Sequence, residues 1–216
     1  SEVAQPGNPD ELLTLELPKV NVVDMRAELR AGNSSMLSKT LRDKLALTLQ
    51  AGQQAILFLN RRGKATYVFC RQCGYTLRCP RDDQPLVHHG AGQSLICHLC
   101  DYTRQMPKKC PECGSIQIRQ LGLGTERLEE VVQKEFPGAR LLRWDTDTTR
   151  HKGEHELILS HFSAHRADVL IGTQMLAKGL DLPLVTLVGI ILAEVGLNLP
   201  DYRAAERSFQ VLTQVA

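Results

Sequence analysis

Residues 55–59 read Ala-Ile-Leu-Phe-Leu, five apolar side chains without a polar interruption. A strand with one solvated face alternates apolar and polar residues, so an unbroken apolar run of this length predicts a strand buried on both faces. The preceding segment has a serine suited to cap a helix at position 38, a glycine at position 52, and leucines at every fourth position from 37 to 49. A helix that leads into a fully buried strand is typical of an α/β fold with a parallel sheet.

The rest of the chain continues this alternation of strands and helices. Apolar runs of strand length alternate with segments whose apolar residues recur at helical spacing. We therefore predict a parallel sheet with helices on both faces. The predicted strands cover residues 20–24, 55–59, 115–119, 139–144, 169–171 and 184–193, and the predicted helices cover 38–52, 125–136, 154–165 and 202–216.

The seven cysteines of the chain all lie between residues 70 and 113. An odd number cannot form a complete set of disulfides, and six of the seven form C-x-x-C pairs whose sulfurs are placed to share one metal ion. We interpret the cysteines as ligands of structural zinc in a protein of the reducing cytoplasm, with a disulfide framework as the alternative. A segment this short, with few apolar side chains, needs a bound metal ion or a comparable cross-link to fold.

The order of the cysteines favours a nested arrangement of two zinc sites. Two C-x-x-C-G knuckles flank the segment, and their glycines suit the tight turns of such knuckles. Between these knuckles lie three further cysteines, at positions 79, 97 and 100. Asp82 occupies the position at which a fourth cysteine would complete a second C-x-x-C pair with Cys79. His88, His89 and His98 are alternative fourth ligands, and zinc at the outer site alone is a further alternative. The predicted ligands are Cys70, Cys73, Cys110 and Cys113 in the first site, and Cys79, Asp82, Cys97 and Cys100 in the second.

Composition and motifs exclude several classes of function. Hydrophobic residues make up 43% and charged residues 23% of the 216, which is ordinary for a folded globular protein. No apolar run is long enough to cross a membrane, and the first residues do not resemble a secretory signal. The sequence has no G-x-x-x-x-G-K-[ST] phosphate loop and no serine or cysteine nucleophile beside a base. The histidine pairs 151/155 and 161/165 lack the glutamate of a zinc-protease motif.

Four polar clusters follow predicted strands, at residues 61–63, 145–149, 172–174 and 178–181. The carboxyl ends of parallel strands meet at one edge, where open α/β sheets bind ligands, and exposed amides and hydroxyls there suit phosphate groups. Ordinary turn chemistry is the alternative for each cluster alone, but four clusters on one edge favour a nucleotide or nucleic acid. The net charge of +2 neither requires nor excludes such a partner.

A series of longer motifs runs through the chain. FLNRRG at residues 58–63 precedes the cysteines, and GLGTE at 122–126, RWDTDTT at 143–149, IGTQMLAKGLD at 171–181, LPDYRAAER at 199–207 and TQVA at 213–216 follow them. Together with the zinc knuckles, these motifs resemble the PriA family of primosomal replication-restart helicases. The resemblance extends from about residue 18 to the end of the chain.

The resemblance implies a RecA-like fold, the second lobe of a superfamily 2 helicase, interrupted by a small zinc-ribbon-like insertion. It divides the chain into a tail or connector (1–17), the first part of the lobe (18–69), the zinc insertion (70–114) and the remainder of the lobe (115–216). The helical pattern of the last residues runs on without a cap, so we also expect the chain to continue in a longer protein.

The same resemblance implies an activity and a set of site residues. The family uses ATP and Mg²⁺ to unwind DNA in the 3′-to-5′ direction, and it restarts replication at stalled or abandoned forks by primosome assembly. Its implied partners are branched or single-stranded DNA, other primosome proteins and single-stranded DNA-binding protein. The implied DNA-binding residues are Arg61, Arg62, Gly172, Thr173 and Gln174, and the implied nucleotide-binding residues are Lys178, Gly179, Asp181 and Gln214.

No complete catalytic set is expected within these residues. The phosphate loop is absent, and the sequence stops before the arginines that would follow Gln214 in the family and stabilise charge on the γ-phosphate. We therefore expect the 216-residue chain alone to hydrolyse no ATP. Two alternatives are a zinc-dependent module that docks primosome proteins in a catalytically dead restart factor, and an RNA helicase of the same superfamily.

Overall fold

A computed structural model of the chain describes residues 18–60, 66–88, 94–120, 124–145, 148–149, 153–173, 182–193, 197 and 203–215. The predicted tail at 1–17 lies outside these residues. The helices are α1 (Met25–Arg30), α2 (Lys39–Gln50), α3 (Thr125–Glu135), α4 (Glu154–Ser163) and α5 (Ala204–Val215). The strands are β1 (Gln54–Leu59), β2 (Thr66–Cys70), β3 (Val87–His88), β4 (Ser94–Ile96), β5 (Thr103–Gln105), β6 (Ile118–Gln120), β7 (Leu141–Trp144), β8 (Val169–Gly172) and β9 (Val185–Ile191).

Four parallel strands form the larger sheet, in the order β7-β8-β1-β9. All six residues of β1 are buried, which confirms the strand predicted at 55–59. Successive side chains of a strand point to opposite faces of its sheet. Leu57 accordingly belongs to a core with residues of α2 and α3, whereas Phe58 belongs to a core with residues of α4. The prediction of a parallel sheet with helices on both faces is therefore confirmed.

On the first face, α2 packs closely against the strands beside it. Ser38 caps the helix, since its Oγ accepts the N–H of Leu41 at 3.1 Å. A Cβ built on Gly189 of β9 would lie 2.8 Å from side-chain carbons of both Leu41 and Leu57. Glycine at 189 therefore makes room for the helix to approach the sheet.

On the opposite face, a buried amide ties β1 to α4. Gln54 is only 1% exposed, and its Nε2 donates to the carbonyls of Phe162 at 2.8 Å and Ala167 at 2.7 Å. Phe162 itself is fully buried. The amide thus joins the first residue of β1 to the last turn of α4 and to the loop that follows it.

The smaller sheet is antiparallel and has the strand order β5-β4-β3-β2-β6. The sequence predicted a strand at 115–119 within the remainder of the helicase lobe, but the observed strand β6 pairs with β2 of the smaller sheet. Along the chain, β2 is the first strand of this sheet and β6 is the last. Their antiparallel pairing brings the two ends of the insertion together. The smaller sheet thus begins at Thr66 and ends at Gln120, beyond the predicted insertion limits of 70 and 114 on both sides.

Residues 18–24, the described residues before α1, have no regular structure, so the strand predicted at 20–24 is wrong. Val22 is 94% exposed and Val20 is 72% exposed. β-Branched residues form a strand only when a neighbouring strand and a buried face are available, and none of the strands that the structure describes pairs with residues 18–24. Asp24 instead caps α1 by accepting the N–H of Arg26. No helix in the described part of the chain has the length and apolar character that a membrane span requires.

Candidate metal centres and the carboxyl edge of the sheet

Four turns with one backbone geometry carry the candidate metal ligands. In each turn, the first ligand residue accepts at its carbonyl the N–H four positions on, and its own N–H donates to the carbonyl five positions on, at 2.7 to 3.0 Å. The residue four positions on has a left-handed backbone, which glycine adopts freely and aspartate tolerates. These residues are Gly74, Asp83, Asp101 and Gly114. The C-x-x-C-G pattern predicted only the two glycine turns; in the other two turns an aspartate at the same spacing carries the equivalent signal.

The first group is a cluster of four cysteine sulfurs. The Sγ atoms of Cys70 and Cys113 are 3.7 Å apart, those of Cys73 and Cys110 are 3.8 Å apart, and all four lie within 4.8 Å of one another. A zinc ion bound tetrahedrally by thiolates at about 2.3 Å separates the sulfurs by about 3.8 Å. The four sulfurs therefore fit a tetrahedral zinc ion.

The second group combines three sulfurs with one carboxylate. The Sγ atoms of Cys79 and Cys100 are 3.6 Å apart, and Oδ2 of Asp82 is 3.2 Å from Sγ of Cys97. Oδ1 of Asp82 accepts the backbone N–H of Gln84 at 3.0 Å, which orients the carboxylate. Among the residues that the structure describes, the donor atoms grouped here include no histidine. The geometry thus favours Asp82 over His88 and His98 as the fourth donor, while His89 lies outside the described residues.

Ionisation differs between the carboxylate and the thiols of these groups. Burial, aided by the neighbouring thiols, raises the pKa of Cys73 to about 12. The hydrogen bond with Asp82 raises the pKa of Cys100 to about 12, and the same bond, followed by that from the N–H of Gln84, lowers the pKa of Asp82 to about 2. The carboxylate is therefore ready to bind a cation, whereas the thiols release protons when a metal binds.

At the larger sheet, the carboxyl ends of β1, β7, β8 and β9 meet at one edge, because all four strands run in parallel. Asn60 follows β1 and is 3% exposed; its Nδ2 donates to the carbonyl of Ala193 at 2.7 Å. Thr173 follows β8 and donates its N–H to the carbonyl of Trp144 at 3.4 Å. Leu192, directly after β9, has a φ of 59°, a strained value of the kind that concentrates at functional sites.

A buried carboxylate organises the β7 corner of this edge. Asp145 is 6% exposed and accepts hydrogen bonds from the hydroxyl of Thr125 and from the N–H of Thr148 at 2.9 Å. Its Oδ2 also lies 3.0 Å from Nε of Arg143. Because Thr125 is the first residue of α3, this carboxylate attaches the start of the helix to the end of the strand. Asp145 was predicted at this edge, but its partner Thr125, which lies 20 residues away, was not.

Only some of the residues implied for DNA and nucleotide binding can be placed. Gly172 ends β8, Thr173 follows it at the carboxyl edge, and Gln214 lies exposed in the last turn of α5. The others, Arg61, Arg62, Gln174, Lys178, Gly179 and Asp181, lie outside the described residues.

No protein-family model matches the chain. Individual proteins do. The chain is 51% identical over 213 residues to the replication restart protein PriA of Bacillus subtilis. The aligned region makes up 95% of the chain and 26% of that protein. It is 49% identical over 212 residues to PriA of Synechocystis sp., an alignment that covers 96% of the chain and 26% of that protein. It is 41% identical over 180 residues to PriA of Haemophilus influenzae, where the alignment covers 83% of the chain and 25% of that protein.

Among solved structures, the Hef helicase domain of Pyrococcus furiosus matches with a TM-score of 0.34 and 17% identity, covering 82% of the chain and 22% of that structure. The chain spans about a quarter of the length of the curated relatives it matches. Over that quarter, the chain is a member of the PriA family of replication restart proteins.

Proposed function

We propose that the chain forms one RecA-like lobe of an ATP-dependent 3′-to-5′ DNA helicase, which acts in the cytoplasm to restart replication at stalled or abandoned forks by primosome assembly. The observation that carries this proposal is the 51% identity to a PriA protein over 95% of the chain. Hydrolysis of ATP with Mg²⁺ would belong to the whole protein, because these 216 residues contain no phosphate loop.

Two structural zinc ions are proposed for the insertion. The first would be held by Cys70, Cys73, Cys110 and Cys113, and the second by Cys79, Asp82, Cys97 and Cys100. The support is the separation of the donor atoms, all within 4.8 Å in each group. Four protein donors complete a tetrahedral shell and leave no position for a substrate, so the proposed role is structural.

Contacts with the tracking DNA strand are proposed for the carboxyl edge of the sheet. Thr173 and the amides beside it would bind phosphate oxygens, with Gly172 allowing the backbone to approach. Arg61, Arg62 and Gln174 are proposed to join them, and Lys178, Gly179, Asp181 and Gln214 to face the nucleotide, all on the basis of the family motifs. Other primosome proteins and single-stranded DNA-binding protein are the proposed protein partners.

The test uses the full-length protein that contains this chain. Thr173→Ala should reduce the stimulation of ATP hydrolysis by single-stranded DNA, since a phosphate contact is removed. Thr186→Ala is the matched control, because Thr186 is exposed near the amino end of β9, at the opposite edge of the sheet. Equal stimulation in both variants would contradict the proposed DNA contact.

Strand displacement on matched DNA and RNA duplexes tests the wider proposal. Unwinding of DNA from the 3′ side, dependent on ATP, is the expected result. Preference for RNA would identify an RNA helicase instead. No unwinding of either duplex, with zinc bound and primosome proteins still captured, would identify a docking module.

A further inference from the structure

Helix α1 has six residues, and none of them is fully buried, although Met25 and Leu29 are half-buried. A helix this short is not stable alone, so its position depends on its contacts with the rest of the chain, several of which are polar. One of these contacts is made by Glu28, whose carboxylate accepts Nδ2 of Asn33 at 2.6 Å and the N–H of Lys39 at 2.9 Å.

A second contact orients Arg26 towards the insertion. Asp24 accepts Nε and Nη2 of Arg26, each at 3.0 Å, and thereby leaves Nη1 directed elsewhere. A Cβ built on Gly74 would lie 3.7 Å from Cδ and 3.9 Å from Nη1 of Arg26. The arginine side chain therefore contacts the first knuckle (residues 70–74) at Gly74, which follows the candidate ligand Cys73.

The first knuckle is also fastened to the chain just after α1. The guanidinium of Arg71, which follows Cys70, donates to the carbonyls of Ser34 at 2.7 Å and Ser35 at 3.0 Å. Ser35 in turn donates its hydroxyl to Glu135 of α3 at 2.9 Å. Arginines from both sides thus join this knuckle to residues 24–36.

The charge of a metal ion bound at the first site would determine how strongly Arg26 is attracted to the knuckle. Zinc with four thiolates carries two net negative charges, and a nearby cation stabilises that excess. Neutral thiols would offer a guanidinium no such charge. The electrostatic attraction between Arg26 and the knuckle is therefore greater when four thiolates surround a metal ion than when the four thiols are neutral.

We propose that Arg26 is an outer-sphere partner of the four-cysteine site, and that metal bound there holds α1 against the insertion. This inference rests on the proposed zinc function. Arg26 is a positioning residue and not a ligand, because its guanidinium cannot lose a proton to bind zinc. Asp24 serves it by holding the guanidinium in the required orientation.

The experiment compares Arg26→Gln with Arg30→Gln in the zinc-loaded 216-residue chain. Both arginines are exposed on α1, and both changes remove one charge, so the second variant is a matched control. Zinc release to a chelator is followed at low salt, together with hydrogen exchange of the α1 amides. The release phase that disappears in Cys113→Ser, which lacks one ligand of the first site, is assigned to that site.

Arg26→Gln should release the first-site zinc up to about tenfold faster than Arg30→Gln does, and its α1 amides should exchange faster. Arg26→Lys should restore part of the difference, and added salt should reduce it. Two zinc ions per chain with identical release and exchange in the two glutamine variants would overturn this inference alone. A chain that binds no zinc by elemental analysis would overturn both the proposed zinc function and this inference.

Discussion

Among single residues, Asp82 gives the insertion its chemical asymmetry. Its backbone follows the same turn geometry as the cysteine knuckles, yet it contributes an oxygen where the first group has a sulfur. A carboxylate is a harder donor than a thiolate and binds zinc less tightly in such a site. The second proposed zinc ion should therefore be the more labile of the two.

Asp82→Asn should speed release of the second zinc ion by more than the roughly tenfold effect of an outer-sphere change, because it weakens a direct ligand. Asp82→Cys should slow release. Release is measured with a chromogenic chelator, and Asp83→Asn is the control, since asparagine tolerates the left-handed backbone at this neighbouring position. Unchanged release from Asp82→Asn, with two zinc ions still bound, would assign the fourth position to histidine or water.

Trp144, the single tryptophan of the chain, reports on a buried hydrogen bond. It is 4% exposed, and its Nε1 donates to Nδ1 of His155 on α4 at 2.8 Å. Nδ1 is therefore the acceptor nitrogen of the imidazole in this bond.

His155→Ala should lower the free energy of unfolding by about 1 kcal/mol, because the buried indole N–H loses its acceptor. Urea titration followed by Trp144 fluorescence measures the change. Glu156→Ala, at an exposed position of the same helix, should leave stability near that of the unchanged chain. Equal midpoints for both variants would mean that water replaces the imidazole.

At the scale of secondary structure elements, an ion pair joins the starts of β7 and β8. Arg140 precedes β7, and its guanidinium and N–H both donate to the carboxylate of Asp168, which precedes β8. These hydrogen bonds from Arg140 lower the pKa of Asp168 against the opposing effect of burial. The pair thus holds two adjacent strands in register at their amino ends.

Because the pKa of Asp168 is lower in the folded than in the unfolded chain, its contribution to stability is full above the unfolded pKa. It is lost as pH falls through the folded pKa. Asp168→Asn should therefore lower the melting temperature by a few degrees at neutral pH, and the difference should vanish in acid. Scanning calorimetry across this range tests the sign, with the exposed Asp43→Asn on α2 as control. A difference that persists in strong acid would contradict the assignment.

At the scale of the whole molecule, the described residues form three separate clusters of buried side chains. Two cover the faces of the larger sheet and contain no cysteine, whereas the third, in the insertion, includes Cys70, Cys79, Cys97 and Cys110 among its buried residues. The insertion therefore depends on its cysteines for a core, and the larger sheet does not.

Removal of zinc with a chelator should loosen the insertion and leave the larger sheet folded. Hydrogen exchange should increase in β2 to β6, while the amides of β1 and β8 and the fluorescence of Trp144 stay unchanged. A chelated chain that loses protection throughout, or one that keeps protection in the insertion, would contradict this independence. The comparison requires a reductant in both samples, so that freed thiols do not form disulfides.

Much of the fold could be predicted because its signals are local. The apolar run at 55–59, the Ser38 cap and the helical spacing of α2 to α5 each depend on residues within one or two turns, where sterics and burial dominate. The C-x-x-C spacing also determined the candidate metal donors, since a knuckle presents two ligands from one tight turn. The aspartates at the glycine position of the inner turns were readable in the same way.

What only the tertiary structure decided involves residues distant in the sequence. The pairing of β6 with β2, the lack of a strand at 20–24, and the bond between Thr125 and Asp145 all depend on which segments meet. The same is true of Arg26 beside Gly74, which local pattern does not reveal. The physical reason is that propensity and periodicity describe the backbone and the exposed face of one segment. Which strands pair and which distant side chains meet is decided only when the whole chain packs around its buried cores.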